Sequence, residues 1–168
     1  MVRKIFMAVA VLGALTSCKK PTVADKLEGS WLVNDITANG TISLGGQVLP
    51  VVADDKTIDP TSVFTLVNAS KNTPSTINYN FNATMSVNAI TQVIDFPFND
   101  SGAGSWLVKE GESTVLDSVI VTQTDGTTTR YAILLLAEDM IRLRTRQTVD
   151  FQGQGVNAQI EFGFVRQQ

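Results

Sequence analysis

The sequence predicts an all-β protein, and three observations carry that prediction. Only 17% of its 168 residues are charged against 43% hydrophobic, and no long helical charge pattern runs through it. From Gly29 onward apolar and polar residues alternate with a period of two, the spacing of a half-buried strand. Short clusters of Gly, Asn, Asp and Pro interrupt the alternation at strand-length intervals, as turns do. The length suits one domain with its own core.

The opening residues stand apart. Arg3 and Lys4 precede an apolar run from Ile5 to Leu15, followed by small polar residues up to Cys18. This is the layout of a secretory signal, too short to span a bilayer. The chain therefore divides into a signal at 1–17, a segment 18–27 that tethers the rest, and a β domain at 28–168.

Strands are expected near 30–37, 40–44, 47–53 and 61–68, with loops from Asp54 to Pro60 and from Ala69 to Ser75. The clearest strand is INYNFNATMSV, where Ile77, Tyr79, Phe81, Ala83, Met85 and Val87 share one face and Asn78, Asn80 and Asn82 the other. A strand from Thr91 is expected to end before Pro97, and Asn99 to Gly104 to form a loop. Asp125-Gly126 between two β-branched runs predicts a hairpin with a tight type I′ turn. A second hairpin is expected at Ala137–Asp139, and a turn at Gln152–Gly155 leads to a last strand with Ile160, Phe162 and Phe164 on one face. Eight to ten strands joined by tight turns make an antiparallel meander, which closing into a barrel would free of exposed edges; a two-sheet sandwich is the alternative.

The pentapeptide GSWLV occurs at Gly29–Val33 and again at Gly104–Val108, and holds both tryptophans. The flanks, NDITANGTI and KEGESTVLD, do not match, so a duplicated domain is not implied. The shared device is physical: a glycine that permits close approach, then a large side chain that plugs one end of a β core.

Two resemblances follow from these residues. Leu15-Thr16-Ser17-Cys18 resembles the bacterial lipoprotein signal, which implies cleavage before Cys18 and acyl chains on it. Lys19 is unlike the Asp that retains many lipoproteins at the inner membrane, and no acidic run follows the Cys. Both features imply an outer-membrane anchor facing the periplasm rather than the cell surface. The order of Cys18, the first Gly-x-Trp, Phe64-Thr65-Leu66, the second Gly-x-Trp, Tyr131-x-Ile133-x-x-Leu136, Ile141-x-Leu143 and a last aromatic strand ending near Arg166 is similar to the lipocalin-like (calycin) domains of Bacteroidetes lipoproteins. The resemblance implies a lipocalin-like barrel whose base is closed by the first Trp. The chain lacks the disulfides and the central Thr-Asp-x-x-Tyr segment of true lipocalins.

Composition narrows the chemistry. Without Arg3 and Lys4 the 13 basic residues fall to 11 against 16 acidic, a net −5, which disfavours a nucleic-acid partner. There is no histidine and one cysteine, so the commonest general base, the commonest zinc ligand and any internal disulfide are absent. Asp54, Asp55 and Asp59, and Asp95, Asn99 and Asp100, offer hard oxygen ligands, but neither spacing matches a calcium loop. No enzyme activity, metal or cofactor is expected. Asp117-Ser118-Val119 resembles a short O-glycosylation acceptor, although inside a predicted strand.

The expected function is binding of a small hydrophobic or amphipathic molecule by the barrel of a lipid-anchored envelope protein. The alternative is a structural or interaction role, with a side-chain-filled barrel and an envelope protein as partner. Candidate ligand contacts are Trp31, Tyr79, Phe81, Met85 and Trp106 as apolar wall. Arg142 and Arg144, on an Arg-alternating strand with Arg146, would either face solvent paired with Glu161 or Asp139, or grip a carboxylate or phosphate at the barrel mouth.

Overall fold

The computed structural model describes residues 20–44, 47–69, 73–88, 93–112, 114–151 and 153–167; Cys18 and the signal before it lie outside these. A short helix α1 (Val23–Leu27) comes first. Thr22 caps it in a capping box with Asp25, so its first amides are satisfied despite its length. The segment expected as tether thus carries a helix, and Leu27 at its end is buried.

Nine strands follow: β1 (Gly29–Leu44), β2 (Gln47–Ile58), β3 (Val63–Val67), β4 (Thr76–Asn88), β5 (Val93–Lys109), β6 (Ser118–Gln123), β7 (Thr128–Leu136), β8 (Met140–Phe151) and β9 (Gln154–Arg166). All pairings are antiparallel, and β9 pairs back onto β1 from Trp31↔Arg166 to Thr41↔Asn157, closing the sheet into a ring. This is a lipocalin-like barrel, and the closure rules out the two-sheet sandwich.

Around the ring there are eight strand positions, because β2 and β3 are two halves of one. Both lie between β1 and β4: β3 pairs Gly29–Leu32 of β1 and Thr76–Asn80 of β4, while β2 pairs Thr37–Leu44 of β1 and Ala83–Val87 of β4. The break falls at Asp59–Ser62. There the Asp59 carboxylate accepts from the amide and hydroxyl of Thr61, and the buried Ser62 hydroxyl bonds both the amide and the carbonyl of Asn82, replacing the missing ladder bonds.

Three expectations are corrected. The loop expected from Asp54 to Pro60 is strand up to Ile58, with a bulge between Asp55 and Thr57 that absorbs its polar run. β5 neither ends before Pro97 nor loops at Asn99–Gly104: β4 pairs along it without interruption from Asn88↔Val93 to Thr76↔Ser105. Proline is tolerated because β6 pairs only from Gly104 onward, so at Pro97 the strand has a single paired edge among the described residues. The Asp125-Gly126 hairpin forms, but through a connection spanning Thr124–Thr127, with Gly126 at φ 88° and the Asp125 carboxylate bonded to the Thr127 amide, rather than a two-residue type I′ turn.

The interior half nearest α1 is solid. Phe64, Tyr79, Phe81, Tyr131, Phe162 and Phe164 interlock there, with ring centroids 5.2 Å apart for Phe64–Phe164 and 4.9 Å for Phe81–Phe162. A bulge between Val33 and Asp35 shifts the inward phase, so that Trp31, Val33 and then Ile36 are buried. Trp31, fully buried, donates its indole N–H to the Leu27 carbonyl. Arg166 lies over its ring, 4.1 Å from the centroid, and donates to the carbonyls of Lys26, Glu28 and Glu138, riveting helix, first strand and last strand together.

Both GSWLV copies lie at this end. Gly29, Leu66, Ile77, Gly104 and Gln123 are successive partners across five strands, so the two glycines share one level and the copies run in opposite directions. Trp31 points into the core; Trp106, 5% exposed, closes the rim and donates to the Val67 carbonyl.

Candidate functional site

The barrel is complete near α1 and incomplete at its other end, because β6 and β7 are short. β6 pairs Gly104–Lys109 of β5, and β7 pairs only Ile141–Arg144 of β8. Among the described residues, Val93–Ala103 of β5 and Thr145–Phe151 of β8 therefore have one paired edge each. Inside this end lies a cleft whose lining, among the described residues, is apolar, drawn from β1, β2, β4, β5, β8 and β9 and including Met85, Val87, Phe96, Phe98, Val149 and Ile160. Its free volume is about 30 Å³, room for one water-sized body, so the cleft is collapsed onto its own side chains.

The sequence-derived candidates separate on these coordinates. Trp31, Tyr79 and Phe81 belong to the filled half and Trp106 to its rim; Met85 alone among the apolar candidates lines the cleft. Ile141, Leu143 and Thr145 are buried, so alternation places Arg142 and Arg144 on the outer face. Arg142 bonds Asp35 at 2.6 Å, and Arg144 lies 3.7 Å from Glu161, the cross-strand partner anticipated for this strand. Sequence reading missed Phe96, Phe98, Val149, Val156 and Ala158. The signal was present in Ile94, Phe96 and Phe98, whose alternation continues through Pro97.

The loop acids do not converge. Asp55 accepts the Ile36 amide, Asp59 is tied to Thr61, and Asp95 binds Lys56 and Ser86. Ser118 is fully buried, with its hydroxyl donating to the Leu116 carbonyl, so it offers no glycosylation surface in the folded chain.

One polar cluster sits where the filled half meets β6. The buried Tyr79 hydroxyl accepts from Gln123 Nε2 and donates to the Asp100 carboxylate. Burial pushes the Asp100 pKa up, against the lowering effect of the Ser101 amide and the Tyr79 hydroxyl. A raised carboxyl pKa means that the folded chain holds the proton after the unfolded chain has released it, so stability falls as pH rises from about 3.8 through the native value. Asp100→Asn, which keeps an acceptor for Tyr79, is expected to raise the melting temperature at neutral pH and to match the parent in strong acid. An equal or lower melting temperature at pH 7 would contradict this account.

No family model matches the chain, and neither does any curated protein. Among solved structures it is similar to the S-type phycobiliprotein lyase from Guillardia theta, at 14% identity over 86% of this chain and 90% of that one, with a TM-score of 0.32. That protein is named a lyase, and with it the expectation that the present chain is no enzyme is corrected: no such exclusion is made. A likeness of this degree assigns no activity to the chain.

Proposed function

We propose that this chain is an envelope lipoprotein of the Bacteroidetes type, acylated at Cys18 and held at the periplasmic face of the outer membrane, whose barrel takes up a small apolar or amphipathic molecule. The observation that carries the binding reading is the cleft at the incomplete end, apolar in all of its described lining. The cleft continues the core beyond the packed aromatic half, beside segments of β5 and β8 that, among the described residues, are paired on one edge only and so can separate from each other without breaking ladder bonds. The anchoring reading rests on Leu15-Thr16-Ser17-Cys18 and on a sole cysteine at the position acylation requires.

A second reading has its own support. A free volume of about 30 Å³ is that of a side-chain-filled barrel, which would act through its outer surface on an envelope partner. Native mass spectrometry of the Cys18→Ser chain recovered from a periplasm separates the two. An extra mass lost on denaturation is the expected result; a bare mass that stays bare after incubation with fatty acids and phospholipids favours the second reading. The same substitution is expected to move the protein from the membrane to the soluble fraction and to abolish acyl labelling. Unchanged fractionation would overturn the anchor.

A further inference from the structure

The inward face of β5 carries a single charge. Burial along the strand alternates with a period of two, and from Phe96 the inward positions are Phe98, Asp100, Gly102, Gly104 and Trp106. Asp100 is half-buried and lies directly across the ladder from the buried Phe81. Tyr79, the partner of Gly102, reaches the same spot because that residue has no side chain: a methyl group there would stand 2.8 Å from the Tyr79 hydroxyl. The hydroxyl donates to the carboxylate. Burial first, and then the nearby Tyr79 and Asp100, push the Tyr131 pKa up, so Tyr131 borders the same cluster.

No lysine or arginine pairs with Asp100 among the described residues; the ion pairs are Lys56–Asp95, Arg142–Asp35 and Arg144–Glu161. A carboxylate drawn partly out of water without a counter-charge opposes folding, and asparagine would accept the Tyr79 hydrogen bond without that penalty. A negative charge here is explained by a cation that arrives to meet it, and aromatic surroundings suit an organic ammonium. The spot can be reached from outside. β6 pairs β5 only from Gly104↔Gln123, one further backbone bond joins the Thr124 amide to the Ala103 carbonyl at 3.2 Å, and beyond Ala103 that edge of β5 is unpaired among the described residues. The next inward residue in that direction, Phe98, is about 7 Å along the strand and lines the apolar cleft.

We infer that Asp100 is the counter-charge for an organic ammonium group: the carboxylate pairs with the cation, Tyr79, Phe81 and Tyr131 flank it, and an alkyl chain on the nitrogen passes Phe98 into the apolar cleft. This rests on the reading of the barrel as a binder of apolar or amphipathic molecules, and it names the class, a cationic single-chain amphiphile.

The test is calorimetric titration of the full chain carrying Cys18→Ser with decylammonium, decanol, decanoate and methylammonium at neutral pH, below micellar concentrations. Decylammonium is expected to bind at least about tenfold more tightly than decanol or decanoate, with Asp100→Asn removing most of that preference. The ligand-free Asp100→Asn chain is expected to be at least as heat-stable as its parent, which separates a lost contact from a lost fold. Asp139→Asn removes an equal charge from an exposed position and is expected to leave the preference intact. Equal losses in the two variants would assign the preference to overall charge and overturn the site. Equal binding of decylammonium and decanol, unaffected by Asp100→Asn, would overturn the cation site and leave the apolar cleft standing. Methylammonium binding that Asp100→Asn abolishes, with no tighter binding of decylammonium, would keep the cation site and overturn its link to the cleft. No binding of any probe would overturn both.

Discussion

Replacing Trp31 by alanine is expected to cost about 3–5 kcal/mol of folding stability, measured as the shift in equilibrium urea unfolding. The indole is fully buried between α1 and the aromatic interior, so its loss leaves a cavity and also orphans the Leu27 carbonyl to which it donates. The Arg166 guanidinium over its ring would lose its apolar support while keeping its three carbonyl partners. Trp31→Phe should fall between parent and alanine variant, since it keeps much of the volume and none of the hydrogen bond. A loss below about 1 kcal/mol for the alanine variant would mean that the base of the barrel is not closed by this residue.

The second large effect is expected at Gly104, the first residue of the repeated pentapeptide's second copy. A methyl group there would overlap the Thr122 carbonyl oxygen, a backbone atom in the paired strand β6. Because no side-chain movement relieves that contact, Gly104→Ala must pull β5 and β6 apart and is expected to cost about 2–4 kcal/mol. Gly126→Ala is the control: its added methyl meets nothing within 4 Å, and only the positive φ of 88° opposes it, about 1 kcal/mol. Comparable losses in the two variants would show that the close β5–β6 approach does not require glycine.

These glycines show how far the repeat could be read. Both copies end up at one end of one barrel because the first opens β1 and the second closes β5, which runs the opposite way, and a plug of large side chains was legible from two tryptophans among small residues. That each glycine permits a close approach was legible as well; which group approaches it was not. Gly29 has a φ of 132° and lies under the Arg166 guanidinium, whereas Gly104 is pressed on a backbone carbonyl. One motif thus answers two unrelated constraints, each set by a partner far away in sequence.

The candidate site shows the same limit. The period-two alternation of β4, β8 and β9 identified inward residues correctly, and the outward arginines of β8 followed from it. Which inward residues line free space and which interlock depends on strand lengths, and those were misjudged at Pro97, where local chemistry argues for an end and thirteen partner pairs with β4 override it.

Sequence by itself determined the strand content and the alternation of faces, because these are local in the chain. Tertiary structure decided that β2 and β3 share one position in the ring. It also decided that, among the described residues, short β6 and β7 leave segments of β5 and β8 paired on one edge only. Such features depend on pairing register between distant segments, and register is set by how all strands close the ring together rather than by any one of them.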